Sequence, residues 1–132
     1  MEDEWRKVEL WRKLGTSFCI EVSRHAVEAD KFEGEHRWCV YAYIYPAHPN
    51  FGGFDEANGI CQSAASELPL HGGPSFLKMH RNKNGEVTSI QVGCDYNHVG
   101  DVEFSYCETK EDAASVFRDA DVLFKWLGEK SQ

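Results

Sequence analysis

Two short segments of the 132-residue chain concentrate the side chains that could carry chemistry. The first is residues 70–74, Leu-His-Gly-Gly-Pro, and the second is residues 94–101, Cys-Asp-Tyr-Asn-His-Val-Gly-Asp. Together they hold two imidazoles, two carboxylates, a carboxamide and a thiol, with glycines that permit close backbone approach. The candidate ligand-binding residues are His71, Gly72, Gly73, Asp95, Asn97, His98 and Asp101.

A predicted β-hairpin brings these two segments to the same place. Asn84-Gly85 is the favoured two-residue turn pair, because both positions tolerate positive φ. The register that this turn sets places Lys83 opposite Glu86 beside the turn and apolar pairs on one face. Extended past the strand ends, it places His71 near His98. We therefore expect the two segments to converge at one rim of the sheet.

Three interpretations of this rim stay open from the sequence. In the first, Asp95, Asn97 and Asp101 form turns by bonding nearby backbone amides, and the rim is structural. In the second, His71, Asp95 and His98 hold a polar small molecule in a pocket floored by tyrosines of the central strand. In the third, two histidines and one aspartate bind Zn²⁺ or Fe²⁺ or transfer a proton. The sequence assigns no catalytic residue, cofactor or metal.

The cysteines give no recognised motif. There are five, an odd number, with no Cys-x-x-Cys pair, which predicts neither a zinc finger nor a thioredoxin-type centre. Cys94 falls on the same predicted hairpin face as Ile90 and Val92, which favours a buried, inert thiol over a nucleophile. Without an export signal in the first residues, we expect reduced thiols and a cytoplasmic location.

Three motifs together resemble a family of small, largely uncharacterised proteins of bacteriophages and prophages. They are residues 43–49 (Tyr-Ile-Tyr-Pro-Ala-His-Pro), residues 70–73 (Leu-His-Gly-Gly) and residues 93–101 (Gly-Cys-Asp-Tyr-Asn-His-Val-Gly-Asp). The resemblance covers roughly Trp38 to Leu127 and implies a phage or bacterial cytoplasmic accessory protein, with no activity to transfer. Cys94 departs from the family pattern, which has an aromatic residue before the aspartate in many members. The residues that match its motifs are His71, Gly72, Gly73, Asp95, His98, Gly100 and Asp101.

The elements that must position the rim are predicted from periodicity. Residues 18–23 alternate as a half-buried strand, and residues 38–45 are apolar or aromatic on both faces, which predicts a central strand covered on both sides. Residues 56–67 form a weak helix after Asp55, and the first 14 residues fit either a helix or a strand. Thr109 begins an amphipathic helix that Gly128 ends.

These elements predict an α+β fold, a mostly antiparallel sheet of four to six strands with the C-terminal amphipathic helix packed on one face. At this length we expect a single domain over residues 1–132. The net charge of −8 argues against nucleic acid as a partner, and no apolar run is long enough to cross a membrane. Oligomeric state is not indicated.

We therefore expect a phage-type accessory protein that is not an enzyme and that binds a polar small molecule or a host protein at the rim. The alternative is a small metal-dependent enzyme that uses His71, Asp95, His98 and Asp101. A third interpretation is an acidic module that works through a protein interface, with a structural rim. Asp95 and Asp101 make the rim acidic, which disfavours phosphate-rich ligands unless a cation compensates.

Overall fold

The computed structural model describes residues 8–54, 64–98 and 100–130. Within them, five strands form one antiparallel sheet in the order β1-β2-β3-β5-β4, and a single α-helix packs on one face, which confirms the predicted α+β fold. Short 3₁₀ helices span Phe51–Gly53, Ala64–Glu67 and Val102–Tyr106. The strands and the helix are β1 (Val8–Leu14), β2 (Phe18–Ala26), β3 (His36–Ile44), β4 (Phe76–Arg81), β5 (Val87–Asp95) and α1 (Ala114–Lys130).

The ambiguous N-terminal segment is a strand where the structure describes it. β1 pairs with β2 in unbroken register from Val8 opposite His25 to Leu14 opposite Cys19. A tight turn joins the two strands, in which the Gly15 N–H donates to the Phe18 carbonyl at 2.9 Å. Pairing with β2 decides between the two periodicities, because a helix this short is marginally stable on its own, whereas the strand gains a ladder of hydrogen bonds to β2.

β3 lies at the centre of the sheet, but only one of its faces is fully covered. Trp38, Val40 and Ala42 are buried beneath α1, whereas Tyr41 and Tyr43 on the other face are half-buried. The expectation of cover on both sides was therefore wrong. Within the described residues α1 lies on one face, and the tyrosines rely on neighbouring side chains for shielding.

β2 is more buried than the sequence predicted, since both faces of its first six residues are buried. On the face away from α1, Glu21 accepts a hydrogen bond from the Arg12 guanidinium at 3.0 Å. Cys19 and Ser23 on that face are small enough for the larger side chains of β1 and β3 to cover them. Side chains of β1 and β3 thus cover most of the polar face of β2, which was predicted to be exposed.

The hairpin of β4 and β5 has the predicted register along most of its length. Leu77 lies opposite Val92, but the register shifts between His80 and Arg81. The predicted two-residue turn was therefore wrong in detail. The Asn82 side-chain oxygen accepts hydrogen bonds from two backbone N–H groups of the turn, which stabilises a longer loop closed by Gly85 at φ +84°.

The helix α1 begins after the predicted capping box. The Asp112 N–H donates to the Thr109 hydroxyl at 3.1 Å, and the Asp112 carboxylate accepts the Thr109 N–H at 3.4 Å. Gly128 was expected to end the helix, but α1 continues to Lys130. A Cβ at Gly128 would stand 3.9 Å from the Phe18 ring, so the glycine lies where the helix contacts β2.

One hydrophobic cluster joins α1 to the sheet. Trp11 stacks on Trp38 with ring centroids 5.5 Å apart, and Phe117 of α1 packs edge-on against both rings. The weak helix expected over residues 56–67 lies mostly outside the described residues, apart from the 3₁₀ turn at its end. Fully buried members of the cluster include Val40, Ala42, Ile44, Ile90, Val92, Val116, Leu123 and Leu127.

Candidate functional site

The predicted convergence of the two segments is observed at the open end of the β4–β5 hairpin. Residues 70–74 enter β4, and residues 96–101 leave β5 at the same end of the sheet. Gly72, Gly73 and Gly100 all have positive φ, so both segments fold back sharply over the strand ends. A Cβ at Gly72 would stand 3.0 Å from Cε1 of His98, which shows how closely the two segments approach.

Asp101 is the centre of the cluster. Its carboxylate accepts hydrogen bonds from Nε2 of His71 at 2.9 Å and from Nδ1 of His98 at 3.0 Å. The backbone N–H of His98 donates to the same carboxylate at 2.9 Å. Only 9% of the Asp101 side chain is exposed, against 39% for His98, so the carboxylate is buried beneath a more accessible imidazole.

The remaining predicted residues have smaller parts in the cluster. Asp95 lies beside His98, with 3.7 Å between its carboxylate and Nε2. Asp95 also accepts the backbone N–H of Asn97 at 3.2 Å, which is the turn-forming bond that the structural interpretation anticipates. Asn97 itself is exposed, and Gly73 has open space where a Cβ would stand. Neither contributes a side chain to the group around Asp101.

Two aromatic residues that the sequence did not suggest, Tyr96 and Phe104, hold His71 in place. The imidazole stacks on Tyr96 at 4.2 Å between centroids, and Phe104 packs edge-on against both rings. The Tyr96 hydroxyl donates to Asp119 of α1 at 2.7 Å. Helical periodicity places Asp119 on the polar outer surface of the helix, so this contact corrects that assignment.

Hydrogen bonding determines the charge state of Asp101. Burial alone would raise the pKa of this carboxyl, but the bonds from the His98 backbone N–H and from both imidazoles outweigh burial and lower it. Tyr96 shows the reverse case, because burial and the bond to Asp119 raise the pKa of its phenol. The cluster therefore contains an ionised carboxylate next to an un-ionised tyrosine.

Cys94 does not have the properties of a nucleophile. It is 2% exposed, packs in the core, and burial raises the pKa of its thiol to about 12. A thiol in this state is almost entirely protonated at neutral pH and has no access to a substrate. The buried, inert thiol favoured by the hairpin pattern agrees with this position.

The geometry suits a metal ion. One donor atom each from His71, His98 and Asp101 lies within 4.8 Å of the others. The two nitrogen-to-oxygen separations, 2.9 and 3.0 Å, are the lengths of the hydrogen bonds that a bound ion would replace. The carboxylate of Asp95 lies outside this set, where it can orient the His98 ring.

Tyrosines of the central region line a cavity that does not include His71, Asp95 or His98. Tyr43 and Tyr45 line a cavity of about 250 Å³ with Arg12, Leu14 and Cys19. Two further cavities, lined by described residues, lie between β1 and α1 and along the outer side of α1. His71 stacks on Tyr96 and not on the β3 tyrosines.

Comparison of the chain with protein-family models, with curated proteins and with solved structures finds no match. Among the described residues, the helix of this structure lacks the length and apolar character needed to span a membrane.

Proposed function

We propose that the protein is a binding protein whose ligand is a divalent transition-metal ion held by His71, His98 and Asp101. The observation that carries this proposal is the approach of three donor atoms, from two imidazoles and one carboxylate, to within 4.8 Å of one another. Two histidines and one carboxylate are a common ligand set for Zn²⁺ and Fe²⁺. The described residues of the cluster are acidic and include no lysine or arginine, which supports a cation as the ligand.

The hydrogen bonds within the cluster show which interactions a bound ion would replace. In the structure both imidazoles donate protons to Asp101, so a metal ion takes the place of two hydrogen-bonding protons. Each imidazole must offer an unprotonated nitrogen to the ion, so the affinity falls as the solution becomes more acidic. Stacking on Tyr96 holds the His71 ring, and Asp95 faces the other nitrogen of His98, so both ligands are oriented before the ion arrives.

Three protein ligands leave coordination positions open. His98 is the most accessible of the three, so these positions face solvent and can accept a polar small molecule or a side chain of another protein. We therefore propose that a polar small molecule or a host protein binds at the open coordination positions of the ion. The resemblance to phage and prophage proteins supports an accessory role in the bacterial cytoplasm as the setting for it.

Titration of chelator-treated protein with Zn²⁺ by isothermal calorimetry, and with Co²⁺ by visible absorption, tests the proposal. We expect one ion per chain, bound more weakly as the pH is lowered. His71→Ala and His98→Ala should each weaken binding about 100-fold or more, because loss of outer-shell partners alone costs about 10–100-fold. His80→Ala is the matched control, since this histidine bonds Gln91 on the hairpin, away from the cluster.

Two results would contradict the proposal. One is the absence of stoichiometric binding in the unmodified protein. The other is binding that His71→Ala and His98→Ala leave unchanged, which would place the ion at thiols or elsewhere. A Co²⁺ spectrum with strong thiolate charge-transfer bands would lead to the same conclusion. If both variants lose thermal stability and no ion binds at all, the rim is structural.

A further inference from the structure

β1 is an edge strand that exposes apolar side chains beside the charged side chains of Glu9, Arg12 and Lys13. Among the described residues it pairs with β2 alone, and its register contains no bulge. Two large apolar side chains of this edge are exposed, Leu10 by 51% and Leu14 by 76%. The opposite edge, β4, differs because its register shifts between His80 and Arg81.

The hairpin turn determines which residues of β1 direct their backbone N–H and C=O groups towards β2. The Gly15 N–H bonds the Phe18 carbonyl, so backbone groups of the odd-numbered residues of β1 point towards β2. The bond from the Tyr45 N–H to the Ser17 carbonyl on the next strand agrees with this alternation. The N–H and C=O groups of Leu10, Arg12 and Leu14 therefore point away from the sheet and are available to pair with another strand.

The sequence of β1 is complementary to itself in the antiparallel register that overlaps all seven residues. This register places Trp11 opposite Trp11 of a second copy, Glu9 opposite Lys13, and Leu10 opposite Arg12. In this register, residues whose backbone N–H and C=O groups point away from β2 lie opposite one another in the two copies. They can therefore form the hydrogen-bonded pairs of an antiparallel ladder. A shift that places Arg12 opposite Arg12 sets like charges against each other.

The charges around this edge extend the complementarity. Within one chain, Glu9 is paired with Arg24, and Lys13 with Asp121 of α1 at 3.1 Å. Pairing of two β1 strands would bring Glu9 next to Lys13 of the second copy and join these pairs into a row of alternating sign. The row occurs twice, once on each side of the two-fold axis, as an isologous interface requires.

We propose that two copies of this chain associate through antiparallel pairing of their β1 strands, joining the two five-stranded sheets into one continuous sheet. The pairing covers Leu10 with the aliphatic part of Arg12 and adds hydrogen bonds along the outer side of β1. A second copy is favoured over an unrelated peptide because the charges of β1 and the positions of its free backbone N–H and C=O groups are both complementary to those of a second β1 strand. The interface lies at the edge of the sheet opposite β4, so it does not depend on the metal proposal.

Sedimentation velocity from micromolar to millimolar protein tests the association, with Leu10→Pro and Leu10→Thr as a matched pair. Proline at this outward-pointing position removes a donor from the free edge and leaves the ladder to β2 intact, whereas threonine keeps the donor. We expect the wild type and Leu10→Thr to dimerise and Leu10→Pro to remain monomeric. A wild-type monomer at every concentration, or a dimer in Leu10→Pro, would overturn the proposal.

Amide hydrogen exchange of the wild type provides a test that does not rely on a variant. In the monomer the amides of Leu10, Arg12 and Leu14 point away from β2, while that of Trp11 bonds β2. Raising the protein concentration should slow exchange at the first three positions and leave Trp11 unchanged. Protection that appears on β4, or at none of these positions, would show that β1 does not form the contact.

Discussion

Replacing Asp101 by asparagine isolates the charge at the centre of the cluster. The side chain keeps its size and one acceptor oxygen, but it loses the negative charge that three donors share. Hydrogen bonds to a charged group contribute about 1.5–3 kcal/mol each and are not additive within a cluster. We expect Asp101→Asn to lower the free energy of unfolding by about 2–4 kcal/mol at about pH 7 in the presence of chelator.

The sign of the pH dependence follows from the lowered pKa of Asp101. A carboxyl with a folded-state pKa below its unfolded value stabilises the protein above the unfolded pKa, which is about 3.9 for aspartate. This stabilisation disappears as the pH falls through the folded-state value.

Urea unfolding of the wild type and of Asp101→Asn from about pH 3 to about pH 8 measures both quantities. The difference between the two proteins should be largest above about pH 4 and should shrink below it. Glu103→Gln, at an exposed position in the following 3₁₀ helix, is the control and should change stability by less than about 0.5 kcal/mol. A difference under about 1 kcal/mol, or one that grows below about pH 4, would refute the assignment of Asp101 as an ionised acceptor.

Three further predictions concern stability and reactivity. Gly72→Ala and Gly73→Ala should both lower the free energy of unfolding by about 1–2 kcal/mol because of positive φ. Calorimetry should show weaker Zn²⁺ binding for Gly72→Ala alone, since its Cβ approaches His98, and equal loss in both variants would refute this. Gly93→Ala should cost about 1–3 kcal/mol in a thermal melt, because its Cβ would clash with the Val40 carbonyl, whereas an unchanged midpoint would show that the strands separate freely. Alkylation followed by peptide mass spectrometry should find Cys94 unmodified in the folded protein at about pH 8, and rapid labelling would mean that the thiol is neither buried nor shifted.

Local patterns predicted the elements whose determinants lie close together in the chain. The capping box at Thr109 and Asp112, the central position of β3 and most of the β4–β5 register were all predicted correctly. The turn was wrong in detail because the Asn82 side chain bonds two backbone amides, which favours a longer loop than the Asn-Gly pair indicates. The competition between a side chain and the backbone is not visible in turn propensities alone.

The sequence predicted which two segments of the chain meet at the site, but not the contacts between their side chains. Extending the hairpin register brought residues 70–74 and 94–101 together, but the predicted ligand pocket placed Asp95, not Asp101, with the two histidines. The structure separates them by burial, because Asp101 accepts three hydrogen bonds while Asp95 remains on the rim. Contacts such as Tyr96 with Asp119 connect the cluster to a helix distant in sequence, and no local pattern encodes them.

The pairing of β3 with β5 has a consequence for the order of folding. The hairpins β1–β2, β2–β3 and β4–β5 each join strands that are neighbours in sequence, whereas Ile44 meets Ile90 across a loop of roughly 45 residues. Closing that loop costs about 3 kcal/mol of chain entropy before any contact forms. We therefore expect the docking of two locally formed units, which buries Val40 and Val92, to be the slow step. The two histidines and the carboxylate of the cluster belong to the β4–β5 unit, whereas the bonds from Tyr96 to the Trp38 carbonyl and to Asp119 need the docked units.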